Sequence, residues 1–198
     1  QENKDEDWMM EFDFEGNKLR GTGTVPGEAS IYTQIFKAKP EVNSIVHAHA
    51  PMCIVMGLAK LKIQSIHLQS SKFGEGLPVY PLPIYVSDTE DGDALVKTMG
   101  DAPGMTINGH GIVTVGKTVD EATMNAIYME RTAKMEHATR QMGYEGVTVG
   151  HKEMLAYNRS KMAERGKSIS RPTTDHSDEW RYYLRKIERG EPWNRGWT

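Results

Sequence analysis

Cysteine is nearly absent from this sequence, in which Cys53 is the only one. A single cysteine excludes a disulfide within the chain and is typical of a reducing compartment, so we predict a cytoplasmic location. Long apolar runs are also lacking, since none approaches the roughly 20 residues that span a bilayer. Residues 1–7 are polar and acidic, unlike a signal peptide. We therefore expect no membrane partner.

Neither positive nor negative charge is in large excess, since the formal net charge is -3. This balance argues against binding to nucleic acid or to an anionic surface. The 198 residues are 38% hydrophobic and 26% charged, which suits a globular protein with one sizeable core. We therefore predict a single domain over residues 1–198 whose ligand is a small-molecule substrate.

Two histidines end a β-branched run immediately before a proline, in the stretch Ile45-Val46-His47-Ala48-His49-Ala50-Pro51. On a strand, side chains two residues apart point to the same face, so His47 and His49 are expected to lie together. Paired imidazoles supply half of a tetrahedral metal shell. The alternative is a pair of partly buried histidines bonded to nearby carbonyls, and only a further ligand decides between the two.

Two other stretches offer such ligands. Asn108-Gly109-His110-Gly111 lies between two β-branched runs, and its glycines permit a bend that turns His110 outwards. Glu28 follows a glycine-rich loop, residues 21–27, at the start of a predicted helix. Its carboxylate has two open interpretations: a favourable charge at the positive end of the helix dipole, or an acid/base or extra metal ligand. Together these residues describe a catalytic metal site with a position open to substrate.

The remaining pattern is that of alternating strands and helices. Capping-box spacing is seen at Ser87/Glu90 and at Thr118/Glu121. The predicted strands are Trp8 to Phe14, Lys18 to Thr22, Lys62 to Leu68, the region of Val79, and Ile84 to Val86. Residues 70–76 are predicted to be a mobile loop, and the helices to run from Glu28 to Lys39, Met52 to Leu58, Ser87 to Met99, Thr118 to Met142 and His151 to Arg165.

The C-terminal segment, residues 168–198, combines aromatic and basic side chains, including Trp180, Tyr183 and Trp193. Such a tail suits either a nucleic-acid platform or a subunit interface. The near-neutral charge favours the interface, so we predict a homo-oligomer in which this tail is a subunit contact.

The order of these motifs resembles the class II aldolase/adducin family, from about Trp8 to Gly143. The resemblance implies an α/β fold, a three-layer α/β/α sandwich with a mainly antiparallel central sheet, usually in a fourfold tetramer with sites between subunits. It implies a divalent metal, commonly zinc (Mn²⁺ and Mg²⁺ being alternatives), held by His47, His49 and His110. Glu28 matches the family's acid/base. The matching segments are residues 26–28, 39–49, 66–67, 76–80, 108–111 and 115–122.

Further assignments follow from this resemblance. Gly27 and Asn108 are assigned to substrate binding, and His67 is either a second proton carrier or a supporting histidine. The family's N-terminal helix and Gly-Asn-x-Ser loop do not appear in the sequence, so the chain is expected to begin inside the domain. Sugar-phosphate aldolases carry serines where Pro26 and Gly27 stand, and a tyrosine in place of Leu68.

The sequence is most similar to the decarboxylase-like branch of the family. We therefore predict a metal-dependent carbon–carbon lyase, a decarboxylase of a hydroxylated aromatic or related hydroxy or keto acid in which the metal stabilises an enolate. A retro-aldol lyase or epimerase acting on an unphosphorylated hydroxy-carbonyl substrate is the alternative. A non-catalytic, adducin-like structural module is the alternative of another class, although such a module has no need of an open metal shell.

Overall fold

The computed structural model describes residues 9–143, 151–164 and 178–191. Contacts divide the chain into two compact units, residues 1–151 and 152–198. The elements of the first unit are strands β1 (Glu11–Phe12), β2 (Lys18–Arg20), β3 (Ser44–Ala48), β4 (Val79–Tyr80), β5 (Gly104–Ile107) and β6 (Gly111–Gly116), and helices α1 (Ala29–Ala38), α2 (Pro51–Leu58), α3 (Thr89–Met99) and α4 (Val119–Gln141), with a 3₁₀ helix at Leu68–Phe73.

The central sheet has the strand order β3-β6-β5-β4. The pairs β3/β6 and β6/β5 are antiparallel, whereas β5 and β4 run parallel. The sheet is therefore mixed, and the structure does not confirm the expected mainly antiparallel sheet. The antiparallel pairing of β5 and β6 follows from the sequence, because the tight turn at Asn108–His110 joins the two strands. The parallel pairing of β4 with β5 does not, because these strands are joined by a long crossover through α3.

Helices cover both faces of this sheet. On one face, Met105, Ile107 and Val113 pack in a cluster with residues of α1 and α3. On the other face, the Thr114 hydroxyl donates to the carbonyl of Ala122, at the start of α4. Alternate residues of β5 and β6 thus point to opposite helical layers, as the two-residue period of a strand requires. The α/β architecture expected from the sequence is confirmed.

The long helix α4 bonds by its side chains to backbone N–H groups of α2 and of the segment that follows it. The Glu130 carboxylate accepts from the backbone N–H groups of Met52 and Cys53, the first turn of α2, at 3.0 and 3.1 Å. The buried Glu136 accepts from the Gln64 N–H. Cys53 is fully buried, and this burial, with the nearby carboxylate, raises its thiol pKa. Its predicted packing role is consistent with this environment.

Three predicted elements are wrong. Instead of a strand over Lys62 to Leu68, the structure has an isolated bridge at Ile63, and residues 68–73 form a 3₁₀ helix rather than a loop. Ser65 explains the difference, since its hydroxyl bonds to carbonyls on that helix and draws the chain into a turn. Residues 84–86 form no strand. The cap of α3 is Asp88, whose carboxylate accepts from the Asp91 N–H, rather than Ser87.

The second unit has two described helices, α5 (His151–Glu164) and α6 (Asp178–Glu188). The predicted helix from His151 to Arg165 is confirmed to within one residue. Most of the C-terminal segment, residues 168–198, lies outside the described residues, so its role as a subunit contact stays a prediction. Within the described ranges, no helix combines the length and apolar character needed to cross a membrane.

Candidate metal centre

His47 is fixed by the pairing of two strands. It lies on β3 opposite Val113 of β6. Its Nδ1 is 3.0 Å from the carbonyl oxygen of Ile112. Because a carbonyl can only accept, Nδ1 carries the proton and Nε2 of the neutral ring keeps its lone pair. A backbone acceptor on one ring nitrogen is the usual support of a histidine that binds a metal through the other.

His110 is held in the same way on a tight turn. Gly109 adopts a φ of 64°, in the left-handed region that glycine enters without strain, and the turn leads directly into β6. Nδ1 of His110 is 2.8 Å from the carbonyl oxygen of Ile84, so this ring also presents a free Nε2. His49 follows β3 and is exposed. The three imidazole rings lie within 5.0 to 5.2 Å of one another, centre to centre.

Glu28 lies immediately before α1 but does not cap it with its side chain. Its two oxygens face two different histidines: Oε2 is 3.4 Å from Nε2 of His47, and Oε1 is 3.4 Å from Nε2 of His110. The Val86 N–H donates to Oε1 at 3.3 Å. The structure therefore favours a role for Glu28 in the site over a simple charge at the end of a helix.

These four side chains fit a cation. One ligand atom from each of Glu28, His47, His49 and His110 lies within 4.8 Å of all the others. Nε2 of His47 is buried and makes no hydrogen bond. Burial is the main reason that the His47 pKa falls below its ordinary value, so this ring favours the neutral form. A lone pair facing a carboxylate oxygen is unfavourable alone, and a bound divalent ion relieves it.

The other predicted site residues are placed differently. His67 is not in the four-residue group; its Nε2 lies 2.9 Å from the Thr132 hydroxyl and its Nδ1 3.1 Å from the Gln69 amide oxygen. Asn108 donates to the carbonyl of Pro81, and its amide oxygen is buried without a partner. Gly27 precedes Glu28 directly. The roles assigned to these three residues stay predictions.

Sequence reasoning missed the backbone groups that hold the site. The carbonyls of Ile84 and Ile112 orient two histidines, and the N–H of Val86 holds Glu28. Because every residue has a backbone carbonyl, and every residue except proline has a backbone N–H, the residue types in the sequence do not reveal these groups. The sequence feature that could have drawn attention to this segment is the order Ile84-Tyr85-Val86, in which a tyrosine stands between two apolar β-branched residues.

Gly27 provides a direct test of the packing beside Glu28. A Cβ on residue 27 would lie 2.1 Å from the Tyr85 hydroxyl, so Gly27→Ala must displace the phenol. Because an exposed side chain can rotate away, we expect the free energy of unfolding to fall by less than about 1 kcal/mol in urea titrations. The loss should vanish in the Tyr85→Ala background. An equal loss in both backgrounds would show that the phenol is not the obstacle.

Residues 2–137 match the profile of the Class II Aldolase and Adducin N-terminal domain. The chain belongs to this family. The family assignment made from the ordered sequence motifs is therefore confirmed. The match contains all four residues of the metal centre and all six strands of the first unit.

Among curated relatives, this class II aldolase/adducin chain is 26% identical over 185 residues to a 3,4-dihydroxyphthalate decarboxylase from Arthrobacter keyseri, covering 88% of the chain and 71% of the relative. It is 28% identical over 124 residues to the protein of the same name from Rhodococcus jostii, covering 60% of the chain and 51% of the relative. The chain thus spans about half the length of this second relative.

Two solved structures show the same fold. An aldolase II superfamily protein from Pseudomonas syringae superposes with a TM-score of 0.72 at 19% identity. The superposition covers 92% of the present chain and 71% of the Pseudomonas chain. An L-fuculose 1-phosphate aldolase superposes with a TM-score of 0.67 at 20% identity, covering 79% of the present chain and 71% of the aldolase chain. At these identities the likeness concerns the fold alone.

Proposed function

We propose that the chain is a metal-dependent carbon–carbon lyase that decarboxylates a hydroxylated aromatic or closely related hydroxy or keto acid. The observation that carries this proposal is the convergence of three imidazoles and the Glu28 carboxylate, with all four ligand atoms within 4.8 Å. A set of three histidines is typical of catalytic rather than structural sites, because it leaves a position for substrate.

His47, His49 and His110 would hold the metal, and zinc is the ion that this donor set favours, with Mn²⁺ and Mg²⁺ as alternatives. A bound divalent ion supplies Lewis-acid stabilisation of negative charge that develops on a substrate oxygen. The protein's own contribution is orientation. The carbonyls of Ile84 and Ile112 fix which nitrogen of His110 and His47 is free, so the ligand shell forms with little rearrangement.

Glu28 is the residue we propose for proton transfer. Its side chain is 13% exposed, and one oxygen is held by the Val86 N–H. In decarboxylation the bond between the substrate carbon and the carboxylate breaks, and its electron pair stays on the carbon as CO2 leaves. Glu28 takes the proton of the substrate hydroxyl and delivers it to that carbon. A proton from solvent then restores the hydroxyl, so the reaction needs no other reactant.

The relatives support the substrate class. Both are named for decarboxylation of 3,4-dihydroxyphthalate, an aromatic acid in which a hydroxyl neighbours a carboxylate. An adjacent hydroxyl and carboxylate can approach one metal together. Aldol cleavage ranks second: phosphate-binding serines are missing at Pro26 and Gly27, and Leu68 stands where a sugar-phosphate aldolase has tyrosine.

The test combines metal analysis with product detection. Protein loaded with Zn²⁺, Mn²⁺ or Mg²⁺ is supplied with 3,4-dihydroxyphthalate, 2,3-dihydroxybenzoate or salicylate, and released CO2 is measured against a chelator-treated sample. We expect CO2 from at least one aromatic acid and none after chelation. An aldehyde formed from a hydroxy-carbonyl panel, without CO2 from any acid, would replace decarboxylation with aldol cleavage. A protein that binds no divalent metal would contradict both reactions.

A further inference from the structure

The segment Ile84-Tyr85-Val86 bonds to the metal centre on both sides of a tyrosine. The Ile84 carbonyl accepts from Nδ1 of His110 at 2.8 Å, and the Val86 N–H donates to Oε1 of Glu28 at 3.3 Å. Tyr85 is therefore placed beside the site by the same backbone that orients two of its residues. The backbone of Tyr85, although not its exposed ring, therefore has a fixed place beside Glu28 and His110.

The direction of Tyr85 follows from the burial of its two neighbours. Val86 is fully buried, and Ile84 packs against the hydrophobic core, whereas Tyr85 is 61% exposed. Its hydroxyl occupies the space that a Cβ of residue 27 would fill, next to Glu28 in the chain. The phenol hydroxyl therefore lies beside Gly27, the residue before Glu28, while most of the side chain stays exposed.

Apolar side chains also lie beside the turn that carries His110. A Cβ on Gly109 would lie 3.3 Å from Leu58 and 3.4 Å from Pro83, so both residues pack against the turn. Leu58 is 61% exposed. Apolar side chains thus lie beside the residues that precede His110 and Glu28: Leu58 and Pro83 next to Gly109, and Tyr85 next to Gly27. A flat aromatic ring with polar groups on one edge matches this arrangement better than a polyhydroxylated chain does.

We propose that Tyr85 is a substrate-contacting residue that selects aromatic acids by packing its ring against the ring of the substrate. This inference rests on the proposed function, since it assumes that the hydroxyl and carboxylate of the substrate approach the metal centre. Offset or edge-on contact between two rings strengthens binding by about threefold to tenfold beyond the burial of surface. In this proposal Tyr85 selects substrates that contain an aromatic ring, and Glu28 transfers the proton.

The test measures binding, so that it does not depend on turnover. Isothermal titration of the zinc-loaded protein compares salicylate with cis-2-hydroxycyclohexanecarboxylate, which has the same pair of oxygen groups on a saturated ring. We expect the wild type to prefer salicylate and Tyr85→Ala to reduce that preference about threefold to tenfold. Tyr85→Phe keeps the ring and should keep the preference. Tyr157→Ala, which removes a tyrosine of 62% exposure on α5, is the matched control.

Each contrary outcome identifies a different failure. An unchanged preference in Tyr85→Ala, or no binding of salicylate by the wild type, would overturn the proposal. Loss of zinc from Tyr85→Ala would show that Tyr85 acts through the metal site instead. A smaller oligomer by light scattering would assign the ring to a subunit contact. Selective binding without release of CO2 would support the role of Tyr85 and contradict decarboxylation alone.

Discussion

Replacing His110 with alanine is expected to lower the affinity for divalent metal by more than about 100-fold, because even loss of a supporting contact to a metal ligand costs 10- to 100-fold. The variant removes one of three imidazoles and leaves Oε1 of Glu28 without the histidine nitrogen that it faces at 3.4 Å. Competition with a chromogenic chelator measures the affinity, and elemental analysis measures the occupancy. Activity should fall in parallel with occupancy.

A histidine outside the cluster supplies the control. His137 lies on α4 and is half-buried, but it is not among the four clustered residues. His137→Ala should bind metal as the wild type does, and circular dichroism should show both variants folded. Full metal retention by folded His110→Ala would remove His110 from the ligand set and undermine the metal centre described above.

Glu28→Gln is expected to reduce kcat by about 10²- to 10⁴-fold, the usual contribution of a positioned acid/base group. The amide has nearly the same shape as the carboxylate and can still accept from the Val86 N–H, so the fold and the three imidazoles should be preserved. Steady-state assays together with metal analysis separate the two effects. We expect turnover to be lost while metal occupancy is largely kept.

The matched control for this change is Glu41→Gln, which removes the same charge at an exposed position outside the cluster. It should retain full turnover. Wild-type turnover in Glu28→Gln would end the acid/base assignment. Loss of metal to the extent seen in His110→Ala would instead make Glu28 primarily a ligand.

The histidines of the cluster were predictable because their positions follow from local rules. His47 and His49 share a face through the two-residue period of β3, and the glycines around His110 permit its turn. Glu28 was found as a helix-start carboxylate, with its role left open, and its distances of 3.4 Å to Nε2 of His47 and His110 place it in the cluster. Local patterns thus identify candidate residues, whereas mutual distances show which of them lie together.

The supporting groups were not predictable for a physical reason. Residues 84–86 were assigned to a strand because Ile84 and Val86 alternate with Tyr85, yet their backbone groups bond to side chains of the site rather than to another strand. The error over Lys62 to Leu68 is similar, since the Gln64 N–H is satisfied by Glu136, which is distant in sequence. Backbone partners of this kind depend on tertiary packing, which residue type alone does not encode.

The side chains of α4 have a consequence for how the first unit opens. Glu130 closes the first turn of α2, Glu136 holds the Gln64 amide, and Thr132 meets His67. The segment from α2 to the 3₁₀ helix is therefore tied to α4 at three places along its length. We expect its amide protons to be about as protected from exchange as those of α4, so that the segment and the helix open as one cooperative unit.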